Sequence, residues 1–164
     1  QALVRARPVA GAPACLAAFD DIRREVLCQA REPAELAREI IEMRERMRDE
    51  LAPRDPGVFD LKHSVGGITD IEFMVQYAVL RWAHAHPQLV TWTDNLRELE
   101  SIAELGLWSK DDCATLHDAY FALRAAIHRS ILEGREAHAE GAGFAAIREQ
   151  VSAFWREQLE AAAT

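Results

Sequence analysis

The sequence predicts an all-α fold: an antiparallel bundle of about six helices (residues 13–164) behind an extended N-terminal tail (residues 1–12). Three observations predict it. Apolar residues recur at three-to-four spacing through most of the chain. No stretch sustains period-two alternation, so sheet content is expected near zero. Proline and glycine punctuate the amphipathic stretches at short intervals, and short connections favour antiparallel neighbours.

The elements follow in order. Pro8 and Gly11 oppose a helix in the tail, whose Leu3 and Val4 call for a partner outside the bundle. A first helix is expected over 13–29, with Leu16, Phe19, Ile22, Val26 and Leu27 on one face. Pro33 suits the first turn of a second helix. That helix runs to about Leu51 with Leu36, Ile40, Met43, Met47 and Leu51 inward, and Pro53, Pro56 and Gly57 end it. Arg44 and Arg48, four apart, share a face. A loop over 57–68 holds Asp60, Lys62, His63 and Gly66-Gly67.

The third helix, to about His84, is expected to start with a capping box of Thr69 and Glu72 and a staple of Ile68 on Phe73. It buries Phe73, Met74, Tyr77, Leu80 and part of Val75. Trp92 is expected as a lid on the core, with Thr93 or Asp94 capping a fourth helix over 94–105 that stops at Gly106. Ser109 and Asp112 cap a fifth helix over 110–133, striped by Leu116, Tyr120, Leu123, Ile127 and Ile131. Arg124 and His128, four apart beside that stripe, could reach a cleft and are expected first as a partly buried polar pair. A last helix over 144–161 carries Phe144, Ile147, Val151, Phe154 and Trp155, and the Ala-rich end frays.

Composition narrows the function. The 164 residues fit one domain, and an apolar share of 49% suffices for a core. A net charge of −8 argues against general nucleic-acid binding. Cys15, Cys28 and Cys113 are odd in number and form no CxxC pair, which opposes zinc and a disulfide framework and fits a reducing cytoplasm. No apolar run approaches the ~20 residues of a membrane span. The start, QALVRARPVAG, lacks an initiator Met and an apolar signal core, and reads as the interior of a longer polypeptide.

Chemistry concentrates in DLKHSVGGITDIEFMVQ, residues 60–76. Glycines admit a close ligand, a helix start offers N–H groups and a positive dipole end, and Lys62 adds a point charge. Together they suit an anion such as phosphate, although the same residues also suit a turn and a cap. The spacing is not a Walker loop. Asp60, Asp70 and Glu72 are a poor magnesium set, since Asp70 and Glu72 diverge on a helix. Arg44 and Arg48 make a positive strip that neighbouring acids or water can also satisfy. The six histidines form no HExxH, and no GxSxG is present, so the chain carries no self-sufficient catalytic set.

The string FDLKHSVGGITDIEFMVQYAVLRWAHAHPQL, followed by TWTDN, resembles the glutamine synthetase adenylyltransferases, bifunctional adenylyl-transferring and adenylyl-removing enzymes. RARPVAG and MRERMR are similar too, and the likeness runs from Arg5 to about Trp155. His63, Ser64 and Val65 fill a variable part of the motif, and Ile127 and Glu133 depart from the expected leucine and glutamine. The resemblance implies the C-terminal helical domain of the adenylyltransferase half, which attaches AMP to a tyrosine of glutamine synthetase. It implies ATP and Mg2+ for the full-length enzyme, with neither held tightly by this fragment. The Gly-Ser and downstream Asp-x-Asp of a nucleotidyltransferase are absent, so residues 1–12 are expected to lead from a missing catalytic domain.

The site residues implied are Lys62, Gly66, Gly67, Asp70, Glu72, Arg44 and Arg48, lining an interdomain or nucleotide cleft, with no catalytic residue and no metal ligand of its own. Expected partners are the nucleotidyltransferase domain of the same chain, glutamine synthetase and the PII signal protein, in the cytoplasm, with no nucleic acid and no membrane. Two alternatives stand beside this reading. One is an interaction or regulatory module docking glutamine synthetase or PII. The other is the equivalent domain of a PII uridylyltransferase, which carries a related DLK…GG..DI pattern.

Overall fold

In a computed structural model, helix α4 (Ile68–Trp82) runs through the middle of the molecule, and the other elements pack around it. The structure describes residues 1–53, 55, 57–139 and 141–164, without the side chains of 141 and 142. Around α4 lie α1 (Ala2–Arg5), α2 (Pro13–Leu27), α3 (Pro33–Leu51), α5 (Asn95–Glu104), α6 (Lys110–Leu132) and α7 (Ala145–Trp155). A π-helical turn, Arg156–Glu160, continues α7. The all-α expectation holds, with one small addition. Phe59–Asp60 (β1) and His138–Ala139 (β2) pair antiparallel, Phe59 opposite Ala139 and Asp60 opposite His138. Two residues per strand are too few for alternation to show in the sequence.

A helix that is apolar all round must be buried all round. In α4, Ile71, Met74, Val75, Tyr77, Ala78 and Val79 are each fully buried, Val75 included. Its neighbours expose one face each. Sequence neighbours α5 and α6 pack against each other, as their short connection favours, and α3 packs on α4 across the longer loop that holds β1. Trp108, which no periodic stripe contains, is buried between Trp82 and Phe154, edge-on to both with centroids 6.3 and 4.9 Å away.

Several expectations are corrected. The N-terminal tail is not extended throughout: Ala2–Arg5 form a helical turn, and Val4 is fully buried in the core of this same chain. On α2, Ile22 faces solvent and Arg23 is buried in the place expected of an apolar residue. On α3, Met43 and Leu51 are exposed, and Arg44 lies on the inward face with Leu36, Ala37 and Ile40. Trp92 is 41% exposed and carries Arg97 stacked over its ring at 4.5 Å, so it is no lid. Ile131, Arg124 and His128 on α6 face solvent. The C-terminal turn is anchored by the fully buried Leu159, and Ala162 and Ala163 pack on the core instead of fraying.

The terminators behave as expected. Ser109 Oγ accepts from Asp112 N at 3.1 Å, Asp94 accepts from Arg97 N at 3.1 Å, and Gly106 closes α5 with φ +65°. Pro56, expected to help end α3, lies outside the described residues. Among the described residues no helix is long and apolar enough to cross a membrane.

Candidate functional site

Asp70 organises the DLK…GG…DIEF segment. Helix α4 begins two residues earlier than the predicted capping box needs, with Gly67 at the N-cap and no side-chain cap. Thr69 is therefore inside the first turn and buried, and the Thr69–Glu72 box does not form. Asp70, at the third helical position, takes over the organising role. Its Oδ2 accepts from Gly66 N at 2.7 Å, and its Oδ1 accepts from Arg44 Nε at 2.6 Å and Arg48 Nη2 at 3.3 Å. Arg44 also donates to the His63 carbonyl at 2.9 Å. Both Arg44 and Asp70 are withdrawn from solvent, at 0% and 1% exposure. Burial opposes the charge on Arg44 and Asp70 sustains it. This is a buried ion pair that fastens α3, the loop and α4 together.

The loop is bonded through its backbone as completely. Asp60 Oδ1 accepts from the N–H groups of both Lys62 and His63 at 2.7 Å, and Ser64 Oγ accepts from Asp60 N at 3.0 Å. Leu61 N donates to Ala137 O at 2.8 Å, next to the two-strand pair. The expected anion donors are consumed in the same way. Gly67 N bonds Ser64 O, Ile68 N bonds Leu61 O, and Thr69 N bonds Lys62 O. With Gly66 N given to Asp70, no N–H of this helix start is free for a phosphate.

The glycines answer to packing. Gly66 has φ +79°, and a Cβ there would lie 2.7 Å from the Arg148 carbonyl of α7. A Cβ on Gly67 would lie 2.7 Å from the Lys62 carbonyl. Each allows a backbone approach that no side chain permits.

The seven residues expected to line a cleft thus part company. Lys62 is exposed, and its ammonium has no hydrogen bond or ion pair among the described residues. The Arg48 side chain is 25% exposed. Arg44, Gly66, Gly67 and Asp70 are buried. Glu72 points elsewhere: its Oε1 accepts from Arg5 at 2.9 Å and from Asn95 and Tyr120 at 3.4 Å. It ties α1 to α5 and α6 and does not order the loop.

A second clasp went unread in the sequence. The Arg23 guanidinium donates to four carbonyls: Leu3 and Val4 at 2.8 Å, Trp92 at 3.1 Å, and Val90. It fixes α1 against the segment between α4 and α5. Beside it Glu98 is fully buried with neither carboxylate oxygen bonded by the described residues. Burial pushes its pKa up to about 8, against the pull of Arg5 and Arg23. The only signals in the sequence were a basic residue at an inward α2 position and an acid at an inward α5 position.

The motif's acids do not fit magnesium. The oxygens of Asp70 are occupied by three donors, Asp60 Oδ1 by two backbone N–H groups, and Glu72 Oε1 by Arg5. Among the described residues no group of three or more His, Cys, Asp or Glu is placed to hold a metal.

Comparison with known proteins agrees with the resemblance read from the motif. The chain is 46% identical over 162 residues to the bifunctional glutamine synthetase adenylyltransferase/adenylyl-removing enzyme of Hahella chejuensis, covering 96% of this chain and 17% of that protein. It is 48% identical over 160 residues to the enzymes of the same name from Nitrosococcus oceani and Thioalkalivibrio sulfidiphilus, covering 98% of this chain and 16% of each. The chain thus spans about a sixth of the length of the curated relatives it matches. Residues 34–140, from the start of α3 through the two-strand pair, match the family model described as GlnD PII-uridylyltransferase, and the chain belongs to that family.

Proposed function

We propose that this chain is the C-terminal helical domain of a glutamine synthetase adenylyltransferase. It forms one wall of the cleft in which AMP passes from ATP to a tyrosine of glutamine synthetase. The observation that carries this reading is the mounting of Lys62: an ammonium unpaired among the described residues, on a backbone locked at both ends. The locked backbone fixes where the lysine emerges, and its ammonium gives up no partner among the described residues when it meets a triphosphate or the neighbouring domain. The names of the relatives support the adenylyl over the uridylyl assignment.

In this reading ATP and Mg2+ belong to the full-length enzyme, and the carboxylates that hold the metal come from a nucleotidyltransferase domain of the same polypeptide. Lys62 positions the triphosphate electrostatically, and Arg48 adds charge where it reaches the surface. Asp70, Arg44 and the two glycines hold the loop that presents Lys62. PII and glutamine synthetase are the partners of the whole enzyme, in the cytoplasm.

One observation favours a second reading, an interaction or regulatory module. The outer face of α6 leaves Phe121, Ile131 and Leu132 exposed at 63, 61 and 88%. Adenylyl transfer by the full-length enzyme carrying Lys62→Ala separates the two. A fall in kcat/KM of about tenfold or more, or ~1.4 kcal/mol, with an unchanged melting temperature supports the cleft wall. Unchanged transfer, with Phe121→Ser weakening the response to PII or glutamine synthetase, supports the module.

A further inference from the structure

A second cleft gathers arginines where the end of α3 and the loop before α4 meet the π-helical turn that follows α7. It has a volume of about 290 Å3 and opens between Arg48 and Val65 on one side and Ser152, Trp155 and Arg156 on the other. Asp70 lies behind it and Glu160 lines it. Lys62 does not line it.

The charges do not balance. Arg44, fully buried at 2.6 Å, already neutralises Asp70. Arg48 reaches the same carboxylate only at 3.3 Å, so the triad carries one positive charge in excess. Arg48 Nε is buried and bonded to nothing among the described residues. Arg156 makes one hydrogen bond, from Nε to the Ser152 carbonyl at 3.2 Å, and forms no ion pair among the described residues. The lining sets Arg48 and Arg156 against Asp70 and Glu160, and the buried Arg44 behind Asp70 tips the local balance by one positive charge, in a chain whose net charge is −8.

The shape suits a small ligand. Arg156 begins the π-helical turn, and such turns recur at functional sites. Val65 and the largely buried Trp155 give an apolar side. Guanidinium forks match phosphate oxygens in geometry and charge. The cleft's volume sits at the lower edge of ligand sites, which start at about 300 Å3. A large substrate is excluded, and an unbranched phosphate-bearing molecule is not.

We propose that this cleft binds a small phosphate-bearing anion, gripped by Arg48 and Arg156 with the Ser152 hydroxyl as a further donor. Trp155 lies against whatever carries the phosphate. Glu160 limits the affinity and disfavours ligands of higher negative charge near its end of the cleft. The site shares Arg48 with the proposed cleft wall but not Lys62, and its test reads binding by this chain, which can fail or succeed whatever Lys62→Ala does to transfer.

The test titrates this chain with inorganic pyrophosphate, and separately with AMP, at constant ionic strength. The signals are the arginine Nε–H and tryptophan indole resonances. Saturable shifts at Arg48, Arg156 and Trp155 are expected. Arg156→Ala should weaken binding tenfold or more without lowering the melting temperature, since Arg156 is exposed and forms no ion pair among the described residues. Glu160→Gln should tighten it. AMP binding tenfold tighter than pyrophosphate identifies a nucleotide as the source of the phosphate; equal or weaker binding identifies the phosphate group alone. Shifts that never saturate, or an Arg156→Ala chain that binds like the unaltered one, overturn the proposal.

Discussion

At the scale of single residues, two buried acids do different work. Asp70 is a structural anion: buried, bonded by three donors and matched by Arg44. Removing one partner of such a pair strands the other charge, which costs about 3–5 kcal/mol. Asp70→Ala should therefore melt far earlier than the unaltered chain, roughly 2–4 °C for each kcal/mol lost, as calorimetry can show. Glu98 runs the other way. The folded state holds its proton up to about pH 8, whereas the unfolded chain releases it near the ordinary value of 4.5. Between those values the folded state binds more protons, so this group's contribution to stability falls as pH rises and levels off above about 8. Glu98→Gln should leave the urea midpoint little changed near pH 5 and raise it near pH 8. A difference that does not grow with pH would show that Glu98 finds a partner on ionising.

At the scale of elements, the start of α4 shows what sequence can and cannot reveal. The helix itself, its apolar run and its acidic first turn were legible, because each depends on spacing along one segment. The cap was not. Thr69 and Glu72 have the offset of a capping box, but Gly67 takes the N-cap and the first N–H groups bond the carbonyls of Leu61 and Lys62. Those carbonyls are delivered by a loop that folds back, pinned at Ala137. The local pattern at Ser109 and Asp112 is as strong, and there it forms, because nothing folds back to compete. Arg44 was read only as part of a positive strip, and Arg23 drew no reading, for a related reason: the carbonyls and the carboxylate that meet them lie far away in the chain. Gly67→Ala should be destabilising by ~1–3 kcal/mol, because the new methyl meets a backbone carbonyl at 2.7 Å that cannot move aside cheaply. A chemical-denaturation midpoint equal to the unaltered chain would count against that packing role.

At the scale of the whole molecule, two clasps hold the surrounding helices to α4. The Arg44–Asp70 pair fixes α3 and the Lys62 loop, and Arg5–Glu72 with Arg23 fixes α1. The all-α fold and the family were readable because they rest on long periodic stretches and on a motif of fixed spacing. The docking of α1, the exposed outer face of α6 and the Arg48–Arg156 cleft were not, since each joins residues far apart in the chain. The chain spans a sixth of its relatives, so in the proposed function this rigidity matters as geometry passed between domains. Loosening α1 by Glu72→Gln should then reduce transfer by the full-length enzyme while Lys62 itself is intact.

The most direct measurement pairs two variants of the full-length enzyme, Lys62→Ala and Asp70→Asn, each followed by adenylyl transfer and by the melt of this domain. We expect Lys62→Ala to lose transfer with its melt unchanged, and Asp70→Asn to lose both together. Lys62→Ala with full transfer, or with a melt lowered as far as that of Asp70→Asn, would contradict a loop built to present that lysine.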